Sequence, residues 1–204
     1  MGIKERRTRE KEGLRQEILE AARELFVKEG YESVSMRKIA DKIEYSPTTI
    51  YLHFRDKCQL FDCLAAEAFG KLLEKLQCIG CETSSDPVEA LRRGLFAYVD
   101  FGLQNPDHYK ITFLMDQHHA EMQPGEENRK EIGCQAFGNL QISVEACIQA
   151  GRFRVIDKEV ASQVLWAGVH GVVSLLIVHP HFPWTDDRVL VESMIDTLLE
   201  GLQK

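Results

Sequence analysis

The chain has 204 residues, 44% of them hydrophobic, which is enough for a buried core in one or two domains. A net charge of -7 would exclude a nucleic-acid partner if it were spread evenly, but residues 1–60 hold 13 Lys+Arg against 11 Asp+Glu, and the remainder holds 12 against 21. No apolar stretch follows the basic start, and the longest apolar run, near Val172 to Val178, is too short for a bilayer; neither a secretory signal nor a membrane partner is expected, and the expected location is cytoplasmic.

The first residues crowd Lys4, Arg6, Arg7, Arg9, Lys11 and Arg15 among Glu5, Glu10 and Glu12. They read either as a solvated, frayed arm or as an arm that tracks phosphates. Leu14, Ile18, Ala21, Ala22, Leu25 and Phe26 then form a helical stripe, with Gly30 placed to close it. Ser35 is an N-cap for a second helix that turns Ile39, Ala40 and Ile43 inward. Ser46-Pro47 opens a third, because proline is tolerated in a first helical turn. Asp56, with Gln59 three residues on, spells a capping box for a long fourth helix.

A break at 79–85 precedes a fifth helix from Asp86-Pro87 to about Gln104, and Asn105-Pro106 starts a sixth through Met115. The polar segment 117–128, with Pro124-Gly125, reads as a loop. Three more helices follow, from about Arg129 to Ala150, from Lys158 to Val178 after an Asp157 cap, and from Thr185 to Leu202. The expected fold is all-α, about nine helices without a sheet, with a helix-turn-helix head at 13–58 (motif about 35–54) and a larger helical domain at 59–204.

The stretch 34–54 carries the chemistry. If Ile50 faces inward, Thr48, Thr49, Tyr51 and His53 face outward, with hydroxyls and methyls suited to base edges and donors suited to phosphates. Arg37 lies on the helix that crosses the DNA backbone in such motifs, and Lys57 stands at a helix start where an ammonium favours a phosphate.

These residues resemble the tetracycline-repressor (TetR) family of bacterial regulators. The likeness rests on Phe26 with Gly30-Tyr31; Arg37, Ile39 and Ala40; Thr49, Tyr51, His53 and Phe54; and Asp56-Lys57, over about Glu17 to Ala66. It implies a homodimer on double-stranded operator DNA, contacted through Ser35, Arg37, Pro47, Thr48, Thr49, Tyr51, His53 and Lys57, with no catalytic residue, cofactor or metal. The implied function is a sequence-specific transcription regulator, a repressor released by a small hydrophobic effector, with activation or ligand-independent regulation as the alternative. The sequence departs from the family at the turn, where Glu44-Tyr45 replace the usual small residues. A positive φ at Glu44 would cost about 1 kcal/mol relative to glycine.

In the C-terminal part the resemblance implies a ligand cavity and a dimer interface made by the last two long helices. Trp166-Ala167-Gly168-Val169-His170-Gly171 is similar to a Trp/His/Gly signature of one subset of these domains. Candidates for the interface are Val164, Gly168 and Leu175 on the eighth helix, with Leu165, Val172 and Leu176 adding apolar area. Leu190, Met194, Ile195 and Leu198 do the same on the ninth. For a pocket between the fourth and eighth helices, the aromatic candidates are Phe69, Phe96, Tyr98, Tyr109, Phe113, Phe137 and Trp166, with His118 and His170 as polar anchors. The same residues at helical spacing also read as plain core.

Six cysteines (Cys58, Cys63, Cys78, Cys81, Cys134 and Cys147) read mostly as small buried hydrophobes. Cys78-Ile79-Gly80-Cys81 has the spacing of a zinc or redox pair, but no second ligand pair or neighbouring strand accompanies it. No G-x-S-x-G elbow, phosphate loop or H-E-x-x-H helix occurs, so no enzyme is expected.

Overall fold

Short polar side chains fix where the helices begin. Ser35 accepts from the Lys38 amide at 3.2 Å and Ser46 from the Thr49 amide at 3.2 Å. Asp86 takes the Val88 amide, Asp157 those of Glu159 and Val160, and Asp186 those of Arg188 and Val189. Each bond satisfies a donor that the first turn of a helix leaves open.

The computed structural model describes residues 2–80, 86–115 and 126–204. The helices are α1 (Ile3–Glu29), α2 (Met36–Lys42), α3 (Pro47–Tyr51), α4 (Lys57–Gly80), α5 (Pro87–Gln104), α6 (Pro106–Tyr109), α7 (Glu126–Gln149), α8 (Lys158–Val178) and α9 (Asp187–Leu202). Among the described residues β-pairing is limited to one isolated bridge, Phe153 with Gln203.

Five details differ from expectation. The basic N-terminal stretch is not frayed; it forms the first turns of α1. Its helix formers are supported by i,i+4 pairs such as Arg6–Glu10 at 2.8 Å. The sixth helix is α only to Tyr109 and continues as a wider π-turn over Lys110–Leu114. α7 begins at Glu126, inside the expected loop, and α9 begins at Asp187 because Asp186, not Thr185, caps it. At Asp56 the box is displaced: Asp56 accepts from the Gln59 amide at 2.8 Å, while Gln59 reaches back to the Arg55 amide at 2.7 Å.

The chain divides into two compact units, Met1–Ala68 with Asp107–Lys130, and Phe69–Pro106 with Glu131–Lys204. In the first, the rings of Phe26, Tyr31 and Phe61 lie 5.3 to 5.8 Å apart at the centre of a core that takes in Ile39, Ala40, Ile50, Phe54 and Ile111. α2 packs on both α1 and α3, and Ala40 is small and fully buried. Gly30, at φ 81, ends α1 in a conformation that a side chain would resist.

In the second unit α5, α8 and α9 pack pairwise. Leu165, Val172, Leu176 and Ile195, expected to supply dimer area, are buried inside this core. At Gly168 a Cβ would run into Leu198 Cδ1 and stand 3.4 Å from Met194 Sδ, so α8 and α9 approach closely there because the position has no side chain. Arg92 ties α5 to α9 with two hydrogen bonds to Asp196, at 2.9 and 3.3 Å.

α8 is long and apolar enough to cross a membrane: an 18-residue stretch of it has a mean hydropathy of 1.7, and 33% of that stretch is buried. The short run at its end understated this. The buried share faces α5 and α9. Val160, Val164, Leu175 and Val178 are exposed and fall on one stripe, with Ala167 and Gly171 between them.

Candidate nucleic-acid interface and ligand site

α3 is only five residues long, so it depends on its surroundings for support. Ser46 caps it, Pro47 sets its first turn, and Ile50 and Phe54 anchor it in the core. The Ser46 and Thr49 hydroxyls also bond to each other at 2.9 Å, which turns the Thr49 hydroxyl inward along the helix. Thr48 and Tyr51 are left on the solvent side, Tyr51 at 55% exposure. Leu52, absent from the expected contacts, is 75% exposed beside it.

The turn between α2 and α3 carries Glu44 at φ 60, so the conditional cost of a positive φ at this position applies. Tyr45 next to it is also exposed, a second surface residue outside the expected set. Only their position outside the Ile43 and Ile50 packing register could have flagged Tyr45 and Leu52.

The flanking groups are partly engaged within the fold. Ser35 is exposed but its hydroxyl caps α2, and Arg37 is exposed. Lys57 donates to the Tyr31 carbonyl at 2.8 Å and sits 4.0 Å over the Tyr31 ring. Burial of the Tyr31 phenol pushes its pKa up. His53 is half-buried; its burial first, and then Lys11 and Arg15, hold its pKa below the ordinary 6.5, so the ring is neutral at pH 7. Asp56 is partly buried, which opposes ionisation, but the Gln59 amide and Arg55 guanidinium outweigh this and lower its pKa.

In the second unit Tyr98, Phe137, Trp166 and His170 gather. Trp166 donates to the Tyr98 hydroxyl at 3.3 Å, which stands 3.3 Å from His170 Nδ1. Ser174 lies 3.4 Å from the other His170 nitrogen, and the Phe137 and Trp166 rings are 5.9 Å apart. Burial lowers the His170 pKa, so the ring is neutral. Phe96 lies apart from this group, under the Arg92 guanidinium at 4.8 Å, and the Phe69 ring lies against Gly133. Tyr109, fully buried, and Phe113, 4.8 Å from it between ring centroids, belong to the first unit.

Residues 18–64 match the family described as bacterial regulatory proteins, tetR family, and residues 91–198 match the tetracyclin repressor-like C-terminal domain. The chain belongs to the TetR family of bacterial regulatory proteins. Its relatives include the transcriptional activator FasR of Mycolicibacterium smegmatis, 26% identical over 67% of this chain and 56% of that protein. The transcriptional repressor AcnR of Corynebacterium diphtheriae is 42% identical over 29% of this chain and 32% of its own length. The chain thus spans about half of the first relative and a third of the second.

The fold of the family is matched over nearly the whole chain. The ketosteroid transcriptional regulator KstR2 of Mycobacterium tuberculosis aligns with a TM-score of 0.76 at 20% identity, covering 93% of this chain and 95% of that one. FadR of Bacillus subtilis, in complex with stearoyl-CoA, aligns at 0.76 and 20%, covering 92% and 99%.

The part matched to the first of these families is the helix-turn-helix head, and a larger helical region follows it. His118, the Cys78 side chain and Cys81 lie outside the described residues. Among those described, no cluster of metal-ligating side chains is present. Of the remaining cysteines, only Cys147 is buried; Cys58 and Cys63 are half-buried and Cys134 is exposed.

Proposed function

We propose that the protein is a homodimeric transcriptional repressor that binds a pseudo-palindromic operator and is released by a small hydrophobic effector. The observation that carries the reading is the division of labour on α3. Ile50 and Phe54 are buried while Thr48 and Tyr51 are presented to solvent. Ser35, Arg37, Pro47, Thr48, Thr49, Tyr51, His53 and Lys57 form the DNA-facing set, with Thr48 and the Thr49 methyl on base edges and the others on phosphates or as supports.

The exposed stripe of α8, with Leu190, Met194 and Leu198 half-buried on α9, supports pairing with a second copy through a four-helix seam. Two heads related by a two-fold axis then meet two half-sites. The group around Tyr98, Trp166 and His170 supports an effector site with an apolar wall and few polar anchors. Such a ligand acts only through unequal affinity for the DNA-competent and released states. A regulator of this kind works in the cytoplasm. That FasR is an activator keeps activation as the second reading.

Selection of bound sequences from random DNA, followed by anisotropy on the selected duplex, tests the reading. Thr48→Ala and Tyr51→Ala are each expected to lower affinity by about 1–3 kcal/mol, with Thr48→Ala also relaxing specificity. Indifference to every duplex at low ionic strength overturns DNA binding, and a strict monomer by light scattering overturns the dimer.

A further inference from the structure

A cleft of about 830 Å³ runs between α1 and α4, lined only by residues of the first compact unit. That volume falls in the range of small-molecule sites. Neither the exposed side of α3 nor the aromatic group around Trp166 contributes to its lining. The walls are mixed, with two guanidinium groups, three carboxylates, two side-chain amides and some apolar surface.

Arg15 is the group that the fold leaves unanswered. Its Nη1 is buried and meets no hydrogen-bond partner among the described residues, a rare state for a charged donor. Nη2 donates only to the Cys63 sulfur, at 3.5 Å, and a thiol is a weak acceptor. The guanidinium lies 4.5 Å over the Phe54 ring, which holds it in place without using its donors. Two further donors share the cleft. Arg55 spends Nε on Asp56, which is not part of the lining. Gln59 gives its carbonyl oxygen to the Arg55 amide at 2.7 Å, so its NH2 group is left to donate.

The acids of the cleft have other neighbours. Glu12 accepts from Gln16 at 3.4 Å, Asp62 is buried and accepts from the Cys58 thiol at 3.7 Å, and Glu67 stands 3.9 Å from His108 Nε2. We propose that this cleft binds a small organic monocarboxylate, with the carboxylate on Arg15 Nη1, Arg55 and Gln59 and a short apolar chain on Leu19, Cys63 and Ala66. An anion is called for because the unanswered group is a cationic donor, and a carboxylate forms strong, charge-assisted bonds with guanidinium. A single negative charge is the limit, because three carboxylates stand around two guanidinium groups and would repel a polyanion such as a nucleotide. A purely apolar ligand would leave Nη1 as it is. The site is separate from the one around Trp166, which belongs to the other unit.

Cys63 supplies a local readout, because it lines the cleft while the exposed Cys134 lies in the second unit. Burial raises the Cys63 pKa, so alkylation of the full-length protein by iodoacetamide is run at mildly alkaline pH and followed peptide by peptide by mass spectrometry. Hexanoate is the probe. A rising series is expected to slow Cys63 alkylation saturably, by about tenfold when about nine sites in ten are filled, and to leave Cys134 unchanged. Hexanamide, with the same chain and no charge, and inorganic phosphate are expected to give no protection. Arg15→Gln loses the protection, while Arg55→Ala, at an exposed side chain, requires several-fold more hexanoate. Trp166→Ala keeps it.

An unchanged Cys63 rate in hexanoate overturns the proposal, as does equal protection by hexanamide. Protection that survives in Arg15→Gln, or that disappears in Trp166→Ala, overturns it too. The comparison of hexanoate with hexanamide needs only the wild-type protein, so it decides even where the Arg15 variant fails to fold.

Discussion

α3 and α8 are opposite kinds of helix. α3 has five residues, is capped by Ser46, started by Pro47 and held by one buried Ile50. α8 has 21 residues, and valines, leucines and isoleucine line most of its circumference. On α3, once the cap and the core have claimed their residues, Thr48 and Tyr51 are what is left on the solvent side. On α8 one residue type serves the core, the exposed stripe and the wall beside Trp166. Apolar periodicity does not tell these uses apart.

The comparison breaks first at the core of the head, where the expected effect is largest. Phe26→Ala removes the fully buried ring between Tyr31 and Phe61 and is expected to cost about 3–5 kcal/mol in urea unfolding of the whole protein. A loss below about 1 kcal/mol would mean the head collapses around the gap and is less close-packed than α2 and α3 require.

On α8 the informative position is Gly168. Gly168→Val drives its side chain into Leu198 and is expected to destabilise by about 1–3 kcal/mol. Adding Leu198→Ala should recover part of that loss in a double-mutant cycle, since the clash is with the end of that side chain. Additive losses would show that α8 and α9 do not meet through this pair.

The smallest effect sharpens the comparison at the turn. Glu44→Gly relieves a positive φ at an exposed site and is expected to stabilise by about 0.5–1 kcal/mol, read as a rise in Tm. Destabilisation would mean that the Glu44 side chain contributes something its exposure does not suggest.

Most helix starts were legible where a side chain caps them; at α9 the cap is Asp186, one residue past the Thr185 that the sequence suggested. Ser35, Ser46, Asp86 and Asp157 each signalled a boundary that the structure keeps. The N-terminal turns of α1 were hidden because they lack apolar spacing, the main cue for a helix, and are supported by charge pairs instead. The π-turn at Lys110–Leu114, which carries the buried Ile111, followed from no residue pattern that the sequence offered. The solvent-facing positions Thr48 and Tyr51 of α3 were legible from the inward place of Ile50. Which of the aromatic candidates gather was not legible: Tyr109 and Phe113 fall in the other compact unit, and Phe96 stacks under Arg92. Ring type and spacing carry no information about which neighbour a ring finds.

The bond between the Ser46 and Thr49 hydroxyls has an evolutionary consequence. It fastens α3 without drawing on Thr48, Tyr51 or Leu52, whose side chains are free of structural duty. If the proposed function holds, a descendant could exchange those three residues and acquire a new target sequence while the head stayed as stable as its parent. Divergence of regulatory targets between duplicated copies would therefore proceed through a few neighbouring codons, with no compensating change elsewhere.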